Sequence, residues 1–276
     1  MTVLLITGVS SGFGRAFATA ALQANYTVVG TVRQDRDRDE FESLAPGRAH
    51  ALMLDVTDTQ AIEPLVQHVE RQIGPIEVLI NNAGYGHNGL VEETSLEAIR
   101  HQMEVNFFGA VAMIKAVLPA MRTRRRGRVI NITSIGGLTT FAGLSIYHAS
   151  KFALEGLSEA LGKEVKDLGI YVTAVEPGAF RTEWAGRSMT RIESGISDYD
   201  HVRAPTAQSL RARSGKQPGD PAKAAQAMLR LIESDHPPAH LLLGRDAYQL
   251  ALDKLDSLRS QFESWRALSI STDFAQ

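Results

Sequence analysis

The segment VLLITGVSSGFG, residues 3–14, decides the fold class of this chain. Residues 3–7 form a short apolar run rich in β-forming side chains that stops at Gly8, and residues 14–24 carry apolar side chains at helical spacing. A strand that passes through a glycine-rich turn into a helix is typical of the first unit of a doubly wound α/β sheet, with a ligand bound at the turn. The segment therefore predicts a parallel sheet with helices packed against it.

The same order of strand, turn and helix is repeated along the chain. Runs that are apolar on both faces belong in a parallel sheet that helices cover on both sides. The stretches between these runs are long enough for crossover helices, so the sequence predicts a single α/β domain over residues 1–276. The predicted strands are residues 3–7, 26–32, 49–54, 78–81, 128–133, 171–176 and 240–243, and the predicted helices are residues 14–24, 58–72, 95–121, 148–168 and 221–234.

Two segments depart from this pattern. Residues 183–220 contain Trp184, Met189 and Tyr199 without a clear period, and we interpret them as a mobile insertion over the ligand crevice. An irregular surface loop without function is the alternative. Residues 245–276 are predicted to form a C-terminal helical extension.

Composition excludes several classes of protein. The 276 residues carry a net charge of −2, which offers no global attraction to nucleic acid or to an anionic membrane. Cysteine is absent, which excludes disulfides, thiolate catalysis and cysteine metal sites and suits a reducing cytoplasm. The apolar run at residues 3–6 is too short for a signal peptide, and the run at residues 109–118 is interrupted by Lys115. We therefore expect a cytoplasmic protein without a membrane or nucleic-acid partner.

The remaining polar clusters predict no further site. Residues 123–128 include four arginines, but nucleic-acid binding needs a larger basic face with aromatic side chains, so a solvated helix end is the preferred interpretation. The prolines between His236 and His240 prevent these two side chains from sharing a helix face, and no metal site is predicted. His87 and His148 lie beside motifs, where a substrate contact is the alternative to an incidental role.

The glycine-rich turn offers a place for a pyrophosphate. Glycines remove the Cβ atoms that would block close approach of a phosphate, and the N-terminus of the next helix presents unpaired N–H groups. The spacing differs from the G-x-G-x-x-G fingerprint and such a turn alone is weak evidence, but its place between a strand and a helix favours a dinucleotide. The candidate cofactor residues here are Gly8, Ser10, Ser11, Gly12, Phe13 and Gly14.

A second candidate cofactor element is Asn81-Asn82-Ala83-Gly84, at the end of the fourth predicted strand. The carboxyl ends of parallel strands line the ligand crevice of a doubly wound sheet, and small residues there would let the chain pass close to an adenine ribose. A plain turn is the alternative, because Asn and Gly favour turns in any case.

Tyr147 and Lys151 are four residues apart in a predicted helix and therefore share one face. A nearby ammonium group favours phenolate and would lower the phenol pKa from its ordinary value of about 10, which suits acid–base chemistry on a carbonyl or alcohol oxygen. Ser134, after the fifth predicted strand, could hydrogen-bond the same oxygen. An ordinary surface pair is the alternative for the Tyr and the Lys.

In combination, these motifs over residues 3–182 resemble the classical short-chain dehydrogenase/reductase family. The family elements Thr-Gly-x-x-x-Gly-x-Gly, Asn-Asn-Ala-Gly and Tyr-x-x-x-Lys are matched by residues 7–14, 81–84 and 147–151, in the family's order and spacing. The catalytic serine and asparagine of the family fall on Ser134 and Asn106. The resemblance implies a single-domain Rossmann-like fold, a doubly wound parallel β-sheet with helices on both faces.

The resemblance also implies a role for each residue. Tyr147 would donate or accept the proton, and Ser134 would polarise the substrate oxygen. Lys151 would lower the phenol pKa and bind the nicotinamide ribose, and Asn106 would hold a water that connects Lys151 to solvent. The implied cofactor contacts are Asp55 and Val56 at the adenine, Asn82, Ala83 and Gly84 beside its ribose, and Pro177, Gly178, Phe180 and Thr182 at the nicotinamide.

The choice of dinucleotide is predicted from the end of the second strand. An acidic residue there binds both ribose hydroxyls of NAD and repels the 2′-phosphate of NADP. This chain has Val32 at that position, followed by Arg33, whose guanidinium can pair with a phosphate. NADP(H) is therefore favoured over NAD(H). The alternative is that Arg33 is a solvated loop residue and the preference is mixed.

The substrate side is predicted to have apolar walls without an ionic partner, which is typical of pockets for uncharged small molecules. Capture of a carboxylate by arginines of the insertion is the alternative. The predicted wall consists of Leu138, Phe141, Leu144, Trp184, Met189 and residues 85–88, and the arginines are Arg181, Arg187 and Arg191.

Three functions compete for this sequence. A dinucleotide-binding sensor could use the same fold, and a scaffold protein would bind no cofactor at all. The complete set of Ser134, Tyr147 and Lys151 favours an oxidoreductase that moves hydride between NADP(H) and a carbonyl or secondary alcohol. We expect a homodimer or homotetramer.

Overall fold

The computed structural model describes residues 2–186, 188–192, 195–202 and 215–274. The strands are β1 (Val3–Ile6), β2 (Thr27–Val32), β3 (Ala49–Met53), β4 (Ile76–Asn81), β5 (Gly86–Asn88), β6 (Gly127–Ile132), β7 (Ile170–Pro177), β8 (Met189–Arg191) and β9 (His240–Leu243). Seven of them form one parallel sheet in the order β3-β2-β1-β4-β6-β7-β9, which confirms the predicted fold class. The short strands β5 and β8, which were not predicted, form a separate parallel pair.

The helices are α1 (Gly12–Gln23), α2 (Asp35–Glu42), α3 (Thr59–Gln72), α4 (Leu96–Met103), α5 (Gly109–Arg124), α6 (Ser145–Val165), α7 (Pro221–Glu233), α8 (Arg245–Ser264) and α9 (Arg266–Ile270). The single helix predicted for residues 95–121 is in fact two helices, joined by the π-helical turn Glu104–Phe108. Helix α2 was missed because its sequence DRDRDEFE is almost entirely charged and buries only Phe41.

The core lies on both faces of the sheet, as the double-sided apolar strands predict. Successive side chains of a strand point to opposite faces, so Leu4 and Ile6 pack with α1 and α7. Val3 and Leu5 pack on the other face with α3, α5 and α6. All four side chains of β1 are buried, as expected for a strand inside a sheet that helices cover on both faces.

The strand order reverses direction at β1. The chain moves outward on one side through β2 and β3, and then crosses to β4 on the other side. A crevice forms at such a switch point, outside the carboxyl ends of the strands, because the connections leave in opposite directions. Residues 7–14 and 82–84 meet there.

The first part of residues 183–220 is tied to the domain. Strand β8 pairs with β5, and the Tyr199 hydroxyl donates to Glu92 at 2.7 Å. Arg187, residues 193–194 and residues 203–214 lie outside the described residues, and the mobility of this insertion stays a prediction.

The basic run at residues 123–128 makes contacts within the fold. The Arg124 guanidinium donates to both oxygens of Glu70, at 2.6 and 3.0 Å, and Arg126 pairs with Glu77 at 2.8 Å. These contacts join the end of α5 to α3 and β4.

One described helical stretch, Leu96–Arg124, is long and apolar enough in composition to cross a membrane. Within it, Met113, Val117 and Met121 are fully buried against the sheet. Helices that are buried in a protein core can be as long and as apolar as helices that span a membrane.

Candidate active site

A crevice of about 1290 Å³ lies along the carboxyl ends of the strands. Most of the residues predicted to form the site line it: Gly8, Ser10, Ser11, Gly12, Phe13, Arg33, Asp55, Val56, Asn82, Ala83, Gly84, Ser134, Tyr147, Lys151, Pro177, Gly178, Phe180 and Thr182. Gly14 and Asn106 lie behind its wall, and their contacts are given below.

The glycine-rich turn is shaped by close backbone approach. Gly8 has φ +73°, a conformation that side-chain-bearing residues rarely adopt. A Cβ on Gly14 would lie 2.1 Å from the Gly8 carbonyl oxygen, so Gly14 allows the turn to pack on α1. Ser11, at the N-cap of α1, makes no side-chain capping hydrogen bond. The first N–H groups of α1 therefore have no side-chain cap, as an anion site requires.

The Asn-Asn-Ala-Gly element holds this turn in place. The Asn82 side-chain amide donates to the carbonyls of Thr7 and Gly8, both at 2.9 Å. The Thr7 hydroxyl in return accepts from the backbone N–H groups of Asn82 and Ala83, at 3.0 and 2.9 Å. These four hydrogen bonds join the ends of β1 and β4, so the element does more than form a plain turn.

The end of the crevice predicted to hold the adenosine carries exposed charges. Arg33, directly after β2, lines the crevice and is exposed, as is Arg36 at the start of α2. Burial raises the pKa of Asp55, but hydrogen bonds from Thr57 and the charge of Arg33 outweigh it and leave this pKa below its ordinary value. Asp55 therefore remains a carboxylate that accepts from Thr57, at 3.0 Å from its N–H and 2.8 Å from its hydroxyl.

Ser134, Tyr147 and Lys151 converge at the other end. Ser134 follows β6, and its hydroxyl accepts from the Gly136 N–H at 2.9 Å. Tyr147 and Lys151 lie on α6, and each side chain is buried. The Lys151 ammonium nitrogen donates to the Ile132 carbonyl at 2.8 Å and lies 5.9 Å from the centroid of the Tyr147 ring. The structure therefore brings the predicted catalytic trio together.

The protonation of this trio differs from the prediction. Burial raises the pKa of Tyr147 to about 12, and a hydrogen bond with Ser134 only partly opposes this rise. Burial also lowers the pKa of Lys151 to about 8, against the influence of Glu155. The sequence predicted a lowered phenol pKa, whereas in this structure loss of hydration raises it; the influence of Lys151 on the phenol stays a prediction.

Asn106 is buried in the π-helical turn. Its side-chain oxygen accepts from the Tyr85 N–H at 3.0 Å, and its amide donates to the Tyr85 carbonyl at 3.0 Å and to the Ser150 hydroxyl at 3.1 Å. Asn106 therefore fixes the backbone of Tyr85, which lines the crevice. The water that Asn106 would hold stays a prediction.

The end of the crevice predicted to hold the nicotinamide contacts the C-terminal extension, and the sequence analysis did not predict this contact. The Asp246 carboxylate accepts from the Ala179 N–H at 2.7 Å. A Cβ on Gly178 would lie 2.3 Å from the same carboxylate, so a side chain at this position would have to displace Asp246. Asp246 and Leu250, both on α8, line the crevice. No local sequence signal connects them to residues 177–180, because the contact joins two distant segments.

The sequence analysis also did not predict the contacts of two ring side chains that neighbour Tyr147. The Trp184 ring centroid lies 5.2 Å from that of Tyr147. The His148 ring lies 2.8 Å from the Gly136 carbonyl through Nδ1 and accepts from the Phe141 N–H at 2.9 Å through Nε2. This pair of contacts needs the neutral ring protonated on Nδ1, and burial accordingly lowers the His148 pKa. His148 thus holds the loop at residues 136–141, whereas His87 is buried outside the crevice lining.

A second polar cluster lies beyond Lys151. Glu155 and Glu176 are buried, and each places one carboxylate oxygen 2.9 Å from Nδ1 of His240. Burial, with the repulsion of Glu155, raises the pKa of Glu176 well above its usual range. Within the described residues these three side chains are close enough to hold a cation. A proton shared by the two carboxyl groups explains the same geometry. Sequence reasoning missed the cluster because its members come from α6, β7 and β9.

The geometry agrees with comparisons to known proteins. The family model described as short chain dehydrogenase matches residues 2–192. A 3-ketodihydrosphingosine reductase from Bacteroides thetaiotaomicron is 37% identical over 245 residues, 88% of this chain and 87% of the relative. The crystal structure of a short-chain dehydrogenase from Streptomyces avermitilis is 42% identical, with a TM-score of 0.93 over 99% of this chain and 100% of that one.

A solved actinorhodin polyketide ketoreductase with NADPH is 29% identical, with a TM-score of 0.73 over 88% of this chain and 95% of that one. The family match covers the crevice from the glycine-rich turn to residue 192. The chain is an oxidoreductase of the short-chain dehydrogenase family, which acts on CH–OH and C=O groups.

Proposed function

We propose that the protein transfers hydride between NADP(H) and the carbonyl carbon of an uncharged, apolar ketone or the corresponding secondary alcohol. The observation that carries this proposal is the continuity of the crevice: the same cavity is lined by Arg33 and the glycine-rich turn at one end and by Ser134 and Tyr147 at the other. A dinucleotide needs both ends at once, a phosphate site and a reaction site.

The residues present fit a dinucleotide. The uncapped N-terminus of α1 and the close approach of Gly8 and Gly14 provide for a pyrophosphate. Pro177, Gly178 and Thr182 would hold the nicotinamide end, and Lys151 its ribose. Bound NADPH supplies the hydride, and the protein supplies orientation and the proton.

The charges at the end of β2 and the start of α2 support a preference for NADP(H). Val32 is buried at the end of β2, so no carboxylate occupies the position that would repel a 2′-phosphate. Arg33 and Arg36 are exposed to the crevice at this end, and the nearby Asp37 faces Arg36 at 3.5 Å. The ketoreductase with NADPH described above supports the same cofactor.

The proton comes from Tyr147. A phenol with a pKa of about 12 is protonated at neutral pH, so it is ready to donate to an oxygen on which negative charge develops. Ser134, which follows β6 at the same end of the crevice, would hydrogen-bond that oxygen. We therefore propose that Tyr147 donates the proton when a ketone is reduced at neutral pH, the reaction that the names of both ketone-reducing relatives describe.

The proposed substrate class follows from the side chains that line the reaction end of the crevice. Tyr85, Phe141, Leu144, Trp184 and Leu250 line the crevice, which gives the reaction end an apolar surface. Five predicted wall residues are not part of this lining: residues 86–88, Leu138 and Met189. Leu138 packs against the cluster under α8, and the Met189 side chain lies where a Cβ on Gly86 would meet it.

The arginines of the insertion do not support carboxylate capture. Arg181 donates to the Gln217 carbonyl at 2.7 Å, and Arg191 lies 3.4 Å from the Gly186 carbonyl. Neither of these two arginines lines the crevice, and Arg187 lies outside the described residues. An uncharged substrate is therefore the better fit.

The proposal is tested with a panel of matched neutral and carboxylated ketones, assayed with NADPH and with NADH. We expect turnover with NADPH and neutral apolar ketones. A preference of about tenfold or more for the carboxylated partner, equivalent to about 1.4 kcal/mol, would contradict the substrate class. NADH turnover equal to that with NADPH would contradict the cofactor preference. A cytoplasmic location and a homodimer or homotetramer remain part of the proposal.

A further inference from the structure

The two carboxylate oxygens of Asp246 have different surroundings. The Oδ2 atom accepts a hydrogen bond from the Ala179 N–H at 2.7 Å. No group among the described residues donates to the Oδ1 atom, although Asp246 lines the crevice. A carboxylate oxygen beside a cavity and without a donor is a strong acceptor for a ligand that carries an N–H or O–H group.

This Oδ1 atom lies beside the segment that is expected to hold the nicotinamide. A Cβ on Gly178 would lie 2.3 Å from it, and a Cβ on Gly244 would lie 2.6 Å from it. Since both neighbours are glycines, neither of them covers the oxygen with a side chain. The next residue of α8, Ala247, packs with Ile135, which also lines the crevice. The oxygen is therefore at the reaction end of the crevice.

The groups that a dinucleotide and a ketone offer at this end determine which donor the oxygen can bind. Pyrophosphate oxygens at neutral pH only accept hydrogen bonds, and an apolar ketone has no N–H or O–H group. The nicotinamide ribose has hydroxyls, but the proposed function places this ribose at Lys151. The carboxamide of the nicotinamide has an –NH2 group with two donors. This –NH2 group is therefore the donor that remains for Asp246.

Two backbone carbonyls of the neighbouring segment are already hydrogen-bonded within the fold. The Ala179 carbonyl accepts from the Gly219 N–H at 3.0 Å, and the Phe180 carbonyl accepts from the Thr182 N–H at 2.9 Å. The Oδ1 atom of Asp246 has no such donor, and it carries charge. Hydrogen bonds to charged acceptors are stronger than those to neutral ones, so this oxygen is the better acceptor for the carboxamide.

We propose that the Oδ1 atom of Asp246 accepts a hydrogen bond from the carboxamide –NH2 group of the nicotinamide and thereby fixes the rotation of the ring in the crevice. This inference rests on the proposed function, because it needs a nicotinamide dinucleotide in the crevice. It gives the C-terminal extension a cofactor-binding residue, although the family match ends at residue 192.

The substitution Asp246→Asn tests this one oxygen. Asparagine keeps an oxygen for the Ala179 N–H but replaces the other oxygen with an –NH2 group, which cannot accept a hydrogen bond. The probes are NADP⁺ and its 3-acetylpyridine analogue, in which a methyl ketone replaces the carboxamide and removes its N–H donors. The affinity for each is measured by isothermal titration calorimetry, so the result does not depend on turnover.

We expect Asp246→Asn to bind NADP⁺ about 10-fold more weakly than wild type and to bind the analogue within about twofold of wild type. The Tm of this variant should stay within a few degrees of wild type, because the contact with Ala179 is kept. The matched control is Asp253→Asn, because Asp253 is exposed on the same helix, accepts from Gln249 at 2.8 Å and does not line the crevice. This control should bind both cofactors as wild type does.

Two results would overturn the inference while wild type still binds NADP⁺, and both leave the proposed function standing. An equal loss of affinity for NADP⁺ and the analogue in Asp246→Asn would mean that Asp246 acts only through the backbone of Ala179. Unchanged affinity for both would mean that the Oδ1 atom is a solvated oxygen without a ligand. Wild type that binds neither cofactor would contradict the inference and the proposed function together.

Discussion

The two ends of the crevice are built in different ways. At the nicotinamide end, Tyr147 and Lys151 are buried, and the surrounding protein determines their protonation. At the adenosine end, Arg33 is exposed beyond the end of β2, where water and salt screen its charge. If Tyr147 donates the proton and Arg33 binds a 2′-phosphate, as we propose, the chemistry depends on burial, whereas the choice of cofactor depends on a few solvated charges. Substitutions at the buried end should therefore have the larger effects.

The largest effect is expected at Tyr147. Tyr147→Phe keeps the ring and its contact with Trp184 but removes the proton donor, so kcat/KM for ketone reduction should fall by at least about 100-fold. NADPH binding, measured by cofactor fluorescence, should stay within a few-fold of wild type, because the phenol proton is needed only in the chemical step. Turnover above about one-tenth of wild type would show that another group donates the proton.

A smaller effect is expected at the glycine-rich turn between the two ends. Gly14→Ala places a Cβ against the Gly8 carbonyl, and such overpacking costs about 1–3 kcal/mol. We expect NADPH affinity to fall by about 10-fold or more. The matched control is Gly156→Ala, because Gly156 lies in α6 and its added Cβ meets nothing within 4 Å.

This control should raise the free energy of unfolding by about 0.5–1 kcal/mol, since Ala is the better helix former. Equal NADPH affinity of Gly14→Ala and wild type would mean that the close packing of the turn is not needed for cofactor binding.

The exposed end should respond less strongly. Arg33→Asp removes a phosphate partner and adds a repulsive charge, so the ratio of kcat/KM for NADPH over NADH should fall by about 10-fold. Arg38→Asp is the matched control, because Arg38 is exposed on α2 but does not line the crevice. If both variants change the ratio equally, the general charge of α2 sets the preference and Arg33 has no specific role.

The smallest effect concerns the buried cluster behind Lys151. Glu176 has a raised pKa in the folded protein, so the folded state binds more protons than the unfolded state and loses stability as pH rises. The Tm of wild type should therefore fall as the pH is raised from about 5 to 8. The Tm of Glu176→Gln should fall by a few degrees less over the same range, because the substitution removes the carboxyl group that titrates.

The control for this prediction is Glu159→Gln. Glu159 is a surface residue that pairs with Lys163, and that hydrogen bond lowers its pKa. The pH slope of this variant should match that of wild type over the same range. An unchanged slope for Glu176→Gln would mean that the two carboxyl groups do not share a proton.

Features set by local sequence patterns could be predicted, whereas contacts between distant segments could not. Local patterns predicted the seven strands of the main sheet and the meeting of Ser134 with Tyr147 and Lys151, because spacing along a strand or helix fixes direction. Local patterns did not predict that Asp246 supports Ala179, since that contact joins the C-terminal helix to the end of β7.

The pKa of Tyr147 was predicted in the wrong direction for a related reason. The spacing to Lys151 was visible in the sequence, but the depth of burial that raises the Tyr147 pKa was not. Helix α2 was missed for the opposite reason, because it buries a single side chain, Phe41, and has almost no apolar pattern to detect.

The most direct test of the account follows a deuterium atom. Wild type is incubated with NADPH that carries deuterium at the transferred position of C4 and with the panel of neutral apolar ketones, and the products are analysed by mass spectrometry. The account predicts deuterium on the carbonyl carbon of the alcohol product and loss of this product with Tyr147→Phe. NADPH that binds tightly while no ketone of the panel acquires deuterium would contradict it, and would favour a dinucleotide sensor on the same fold.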